Sequence, residues 1–248
     1  MALAEELERE GHFLFKHRGI LPVIVVLVGI AAFLENALTG EWLNRYWFNL
    51  PYELFCFFIA LAGFLVRCGS IGYASMHTSG RNTKGQVAES LNTMGLYSMA
   101  RHPLYFGNFL ISFGAALLTR NPWFILFFIF FFWVYYERIM FAEEQFLTKK
   151  FTDTYTSWAA KTPAFIPKYS LWKGPSWSFN WKRAIWNEKA GVLAITTIFL
   201  LFAELEEFIR SSQFILHDRF WYYLFILSLI VYAGLKLIVK FSSLLDGK

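Results

Sequence analysis

Six stretches of about twenty mostly apolar residues dominate this 248-residue chain, at roughly 19–38, 51–70, 103–119, 122–141, 189–209 and 219–239. Runs of this length suit helices that cross the hydrocarbon core of a bilayer, although the third and fourth are short and must tilt little or end in protein. In lipid every backbone N–H and C=O has to be satisfied, so runs of this length define an all-α polytopic membrane protein with about six transmembrane helices. The third and fourth are separated only by the breaker cluster Thr119-Arg120-Asn121-Pro122, which makes them a tight helical hairpin. Composition agrees: 56% hydrophobic against 17% charged residues leaves too little polar surface for a water-exposed globule and excludes a soluble nucleotide-binding enzyme. The 10 Trp, 12 Tyr and 29 Phe suit lipid-facing positions and interfacial belts. Cys56 and Cys68, twelve apart on one helix, cannot reach each other, and no metal-ligand set stands out.

Alternate loops of the six-span scheme differ sharply in charge. Nineteen of the 23 Lys and Arg residues fall on one side, which predicts both termini and the two large polar loops in the cytoplasm. The net charge of +5 therefore reads as topology and attraction to anionic lipid, not as a nucleic-acid footprint. The acidic start, with Glu5, Glu6, Glu8 and Glu10, is unlike a signal peptide, and the first apolar stretch is expected to be a retained span. Residues 2–15 have Leu3, Leu7 and Leu14 on one helical side and are either a surface helix or a frayed terminus. The chain divides into an N-terminal part (1–90) with two spans and a polar loop, a central hairpin (91–170), and an aromatic interfacial segment with two further spans (171–248).

Two clusters carry chemistry. Arg101-His102-Pro103 precedes the third span, and proline suits the first turn of a helix, so unpaired backbone donors and the positive dipole end gather there as a seat for an anion. Gly107, one turn in, lets a helix or flat ligand approach the backbone. The second cluster, Glu137, Arg138, Glu143 and Glu144, ends the fourth span, where ionisable groups are costly unless paired or wet. Glu137, Phe141 and Glu144 share one helical face, while Arg138 and Glu143 are five apart. The hairpin returns this cluster to the membrane surface of Arg101 and His102.

The ordered set Gly95-x-Tyr97, Arg101-His102-Pro103-x-Tyr105-x-Gly107, Glu143-Glu144, Phe151, Tyr155 and Pro163-Ala164-Phe165-Ile166-Pro167 resembles the integral-membrane methyltransferases, which include isoprenylcysteine carboxyl methyltransferases and phospholipid N-methyltransferases. It covers about residues 92–168. Leu96 stands where the family often has proline, and Thr152-Asp153 where it often has a glycine-containing turn. The resemblance implies S-adenosylmethionine as cofactor, bound by Arg101, His102, Tyr105, Gly107, Glu143 and Glu144, with Arg138 and Glu143 near the reacting groups. It also implies an acceptor that is a membrane lipid or lipid-anchored, reached from the bilayer.

Arg81, Lys84, Arg101 and Arg138 on one cytoplasmic rim would suit an anionic head group, which needs no general base. Residues 82–86 and 136–144 also resemble a bacterial branch that methylates the 1-phosphate of lipid A, which implies a bacterial inner membrane. Phosphatidylethanolamine and prenylated cysteine remain alternative acceptors. Two other classes stay open: an NADPH-dependent sterol-type reductase, which shares an Arg-His-Pro-x-Tyr-x-Gly stretch, and a non-catalytic membrane scaffold. Glu204, Glu206 and Glu207 read as solvated interfacial charge, and the Trp-rich stretch 171–188 as an interfacial segment or a lid over the pocket.

Overall fold

The computed structural model of the chain describes residues 2–39, 49–74, 88–175, 178–211 and 219–241. The described residues form α1 (Leu3–His17), α2 (Leu21–Thr39), α3 (Asn49–Gly72), α4 (Leu96–Met99), α5 (Pro103–Leu117), α6 (Pro122–Ala159), α7 (Trp181–Glu188), α8 (Gly191–Ser211) and α9 (Arg219–Phe241), without a β-strand among them.

The all-α membrane architecture stands, and among the described residues three or four helices, rather than all six expected, pass for full spans by length and composition. Leu50–Gly72, Pro122–Ala159 and Phe220–Ile238 are long and apolar enough to cross a membrane, and the bent pair α1–α2, turning through 79°, makes a fourth if taken as one span. Two expected spans fall short for physical reasons. The 15 residues of α5 reach only about 22 Å at 1.5 Å per residue, and the second half of α8 carries Glu204, Glu206 and Glu207. Glu206 is also not solvated: it is buried and pairs with Arg120 at 3.3 Å.

A helix as short as α5 is held by its neighbours, and α3 is the closest. A Cβ on Gly63 of α3 would lie 2.6 Å from the Gly107 carbonyl oxygen, and one on Gly114 of α5 would lie 2.6 Å from the Cys56 carbonyl oxygen. This is small-residue packing, which brings two backbones together where lipid provides no hydrophobic drive. The link from α5 to α6 turns at Arg120 (φ 52°), and Asn121 caps α6 by accepting from the Phe124 N–H at 3.0 Å. Before its kink at Thr152, α6 already rises about 45 Å at 1.5 Å per residue and outruns the hydrocarbon core.

The N-terminal segment expected as a surface helix or a frayed terminus is helical, α1, and lies antiparallel along α6. Gly11 sits against the Arg138 backbone, Phe15 is buried, and ion pairs Glu10–Arg138 (2.7 Å) and Glu8–Lys149 (2.7 Å) fasten its polar side. Two aromatic-rich cores result. One joins Phe15, Tyr105, Phe128, Phe132, Tyr136 and Phe165; the other joins Phe33, Cys56, Ala60, Phe199, Phe202 and Trp221, with the Trp221 indole N–H donating to buried Glu53 at 2.5 Å.

The departure at Thr152 has a backbone consequence. Thr152 kinks α6 at φ 44°, ψ −119°, close to the φ 60°, ψ −134° of Gly95. Only glycine adopts this region freely. Thr152→Gly is therefore expected to stabilise the protein by about 1 kcal/mol, read as a higher unfolding midpoint in detergent. Gly63→Ala should cost about 1–3 kcal/mol by overpacking, whereas Gly234→Ala, with nothing within 4 Å of its Cβ position, should cause no loss.

Candidate functional site

Arg101, His102 and Pro103 stand where α4 gives way to α5, with His102 as N-cap and Pro103 at the first helical position. The backbone donors expected to be open there are partly taken. Arg101 N–H donates to the Pro163 carbonyl (2.9 Å) and His102 N–H to that of Ala164 (3.0 Å), while Lys168 N–H donates to Met99 (3.0 Å). The closing segment 163–168 thus lies along the 99–102 backbone, and Phe165 inserts among Phe106, Phe109, Phe132 and Trp133.

His102 is buried between two carboxylates of α6. Its Nδ1 lies 3.4 Å from Glu143 Oε2 and its Nε2 3.0 Å from Glu144 Oε1. A neutral imidazole has one donor, whereas two carboxylates call for two, so the arrangement fits the imidazolium. Burial works against that charge, but the hydrogen bonds and charges of Glu143 and Glu144 outweigh it and hold the His102 pKa above its ordinary 6.5. Arg101 Nε lies 2.8 Å from Glu144 Oε1, and its Nη1 donates to the Ala159 carbonyl at 2.8 Å. The Tyr105 hydroxyl donates to Glu143 Oε1 at 2.8 Å, and its ring stacks on His102.

A second polar group adjoins the first. Arg67 of α3 binds Glu188 of α7 through two N–H groups, Nε to Oε2 at 3.2 Å and Nη2 to Oε1 at 2.5 Å, and donates through Nη1 to Asn108 Oδ1. Asn108 Nδ2 in turn donates to the Tyr136 hydroxyl at 3.2 Å. Residues 179–188 dock on α3 to make this possible: Asn180 N–H donates to the Gly72 carbonyl (2.9 Å), the Phe179 ring fills the space beside Gly72, and Trp172 and Trp181 remain exposed.

Both groups line one cavity of about 690 Å³. Its polar end carries Arg67, His102, Asn108, Glu143 and Glu188; its apolar end is built from Val25 and Val26 of α2, Ile111 and Ala115 of α5, Phe128 of α6, and Ile195 and Ile198 of α8. The volume and the few convergent polar groups are those of a small-molecule site.

Of the residues singled out from sequence, Arg101, His102, Tyr105 and Glu143 come together on the cavity wall, and Glu144 stands behind His102 as its second carboxylate. Gly107 is elsewhere: its Cβ position is filled by Arg67 Cγ at 2.7 Å and the Gly63 carbonyl at 2.8 Å, so the close approach it allows is that of α3. Arg138 is not brought to Glu143. Five residues along a helix is about 140° of rotation, and Arg138 faces α1, paired with Glu10. Glu137 is exposed. Arg81 and Lys84 lie outside the described residues. Sequence reasoning missed Arg67, Asn108 and Glu188. Arg67 carried a signal, an ionisable group ending an apolar run, but Glu188 carried none, because its partner is 121 residues away. Among the described residues, no three His, Cys, Asp or Glu side chains form a group able to hold a metal ion.

The site has one charged end and one apolar end, in a chain with helices long and apolar enough to cross a membrane. Residues 55–154, which contain most of α3, all of α4 and α5 and most of α6, match the phospholipid methyltransferase family model. The chain is 29% identical over 170 residues to the nickel-cobalt-cadmium resistance protein NccN of Alcaligenes xylosoxydans xylosoxydans, covering 66% of this chain and 71% of that protein. It is 33% identical over 99 residues to the protein-S-isoprenylcysteine O-methyltransferase of Saccharomyces cerevisiae, covering 38% and 41%. Over this segment the chain is similar to the phospholipid and isoprenylcysteine methyltransferases. No solved structure matches it.

The raised His102 pKa gives a signed prediction. A group whose folded pKa lies above its unfolded value contributes stability that is full below about pH 6.5 and is lost as pH rises through the folded pKa. The wild-type unfolding midpoint should therefore fall across that window relative to His102→Gln, whose midpoint lacks this component. Parallel profiles for the two proteins would contradict the buried imidazolium.

Proposed function

We propose that this protein transfers a methyl group from S-adenosylmethionine to a membrane-embedded lipid or lipid-anchored acceptor. The observation that carries this reading is the clamp of His102 between Glu143 and Glu144 at the polar end of a cavity whose other end is apolar, within the family segment.

The residues present suit the cofactor. Glu143 offers a cavity-facing carboxylate to an ammonium group, and Tyr105 and Tyr136, with ring centroids 4.9 Å apart, offer an aromatic wall. When bound, the cofactor supplies a methyl group on a sulfonium, open to in-line displacement. The protein then has to align the partners and exclude water. Glu144 and the His102 imidazolium fix the position of Glu143, and Arg101 ties Glu144 to the end of α6 at Ala159.

The finer reading is an acidic oxygen as nucleophile, either a lipid phosphate such as the 1-phosphate of lipid A or the carboxylate of a prenylated cysteine. It is supported by Arg18 and Arg67 on the cavity wall, and such an oxygen is already deprotonated near neutral pH. An ethanolamine head group is the competing acceptor, favoured by Glu143 and Glu188 on the same wall. The charge split between loops supports an orientation with the polar end toward the cytoplasm of a bacterial inner membrane.

Membranes containing the protein, incubated with methyl-labelled S-adenosylmethionine and extracted, should carry label in an acidic lipid or prenylcysteine fraction. No label in any lipid fraction, with acceptors present, would overturn the reading. His102→Ala and Glu144→Gln should each weaken cofactor binding tenfold or more while the protein still inserts, measured by equilibrium binding in detergent.

A further inference from the structure

We infer that Arg67, Tyr97 and Tyr136 form a head-group subsite for an anionic oxygen group, a phosphate or carboxylate, carried on a lipid tail. This rests on the methyl-transfer reading and assigns the place of the acceptor within it.

All three residues line the cavity. The five N–H donors of a guanidinium leave two on Arg67 once Glu188 has taken two and Asn108 one. The Tyr136 hydroxyl accepts from Asn108, which leaves its proton to be donated. The Tyr97 hydroxyl has no hydrogen-bond partner among the described residues. Burial holds the Tyr97 phenol well above its ordinary pKa, so it too is a donor at neutral pH. Two guanidinium N–H groups and two phenol protons are a set that an anionic oxygen group satisfies; an ammonium head brings only further donors.

Position adds to the argument. The Tyr136 ring lies 4.9 Å from that of Tyr105, whose hydroxyl donates to Glu143 at 2.8 Å, so the subsite adjoins the carboxylate proposed to hold the cofactor. The apolar arm gives a tail a place in the same cavity. Glu188 and Asn108 are positioning residues that hold the Arg67 fork. With the acidic oxygen as nucleophile, an O–CH3 bond forms as the methyl–sulfur bond breaks, the sulfonium becomes a neutral thioether, and no proton moves. The product has lost one negative charge, which weakens its hold on Arg67 and favours release.

The test uses the full-length protein in detergent, titrated calorimetrically with octyl phosphate, with S-farnesylcysteine bearing a free carboxylate and a blocked amine, and with octylamine. Arg67→Gln and Tyr97→Phe are each expected to weaken binding of at least one anionic probe fivefold or more while S-adenosylmethionine affinity stays unchanged. The milder Tyr97→Phe decides the matter if Arg67→Gln does not fold. Tighter octyl phosphate points to a lipid phosphate and tighter S-farnesylcysteine to a prenylated carboxylate, and either supports the subsite. Anion affinity unaltered by Tyr97→Phe, cofactor affinity lost with it, or octylamine binding tighter than both anions overturns it. Failure of the wild type to bind S-adenosylmethionine overturns the methyl-transfer reading instead, while the anion titration still decides the subsite.

Discussion

Much of this molecule depends on the close approach of α3 and α5. In a bilayer, two helices gain little by hiding apolar side chains from a solvent that is itself apolar, so they associate by packing and polar contact. Gly63, Gly107 and Gly114 let the backbones meet, with a carbonyl of the facing helix where a side chain would otherwise stand. That contact holds a 15-residue helix at depth and sets Arg67 against Asn108. The polar wall of the cavity follows from it.

Charge inside the bundle is organised across helices. Arg67 of α3 is neutralised from α7, His102 before α5 from α6, Arg120 before α6 from α8, and Arg138 of α6 from α1. Each of these ion pairs couples segments distant in sequence. In a low-dielectric setting an unpaired charge is expensive, so each pair also specifies which helices may be neighbours. Evenly matched pairing leaves the cavity with few uncommitted groups. Among the described residues, the Tyr97 hydroxyl, the Tyr136 proton and two N–H groups of Arg67 are the donors left on its wall by the bonds described above.

The motif Arg101-His102-Pro103 and the pair Glu143-Glu144 were legible in the sequence because helix-start chemistry and charge at the end of an apolar run are local signals. The hairpin that joins them was legible from Asn121-Pro122. The resemblance set Arg138 with Glu143 near the reacting groups, but Arg138 lies about 140° around α6 from Glu143 and pairs with Glu10 of α1. Gly107 was rightly read as a point of close approach, but a sequence does not say whether a helix or a ligand does the approaching. The count of six spans is not matched by length and composition at α5, which is short, or at α8, which is charged; apolar content measures burial in something, and for α5 that something is largely protein.

By itself, then, the sequence determined the helical membrane class, the hairpin and the family motif, since each rests on hydrophobic run length, helix-breaking residues or spacing within a few turns. Tertiary structure alone decided that Arg67 meets Glu188 across 121 residues, that segment 163–168 seals the helix start, and that Arg138 turns outward. Those outcomes depend on the rotation and depth of each helix against its neighbours. Packing sets both quantities, and no local pattern encodes them.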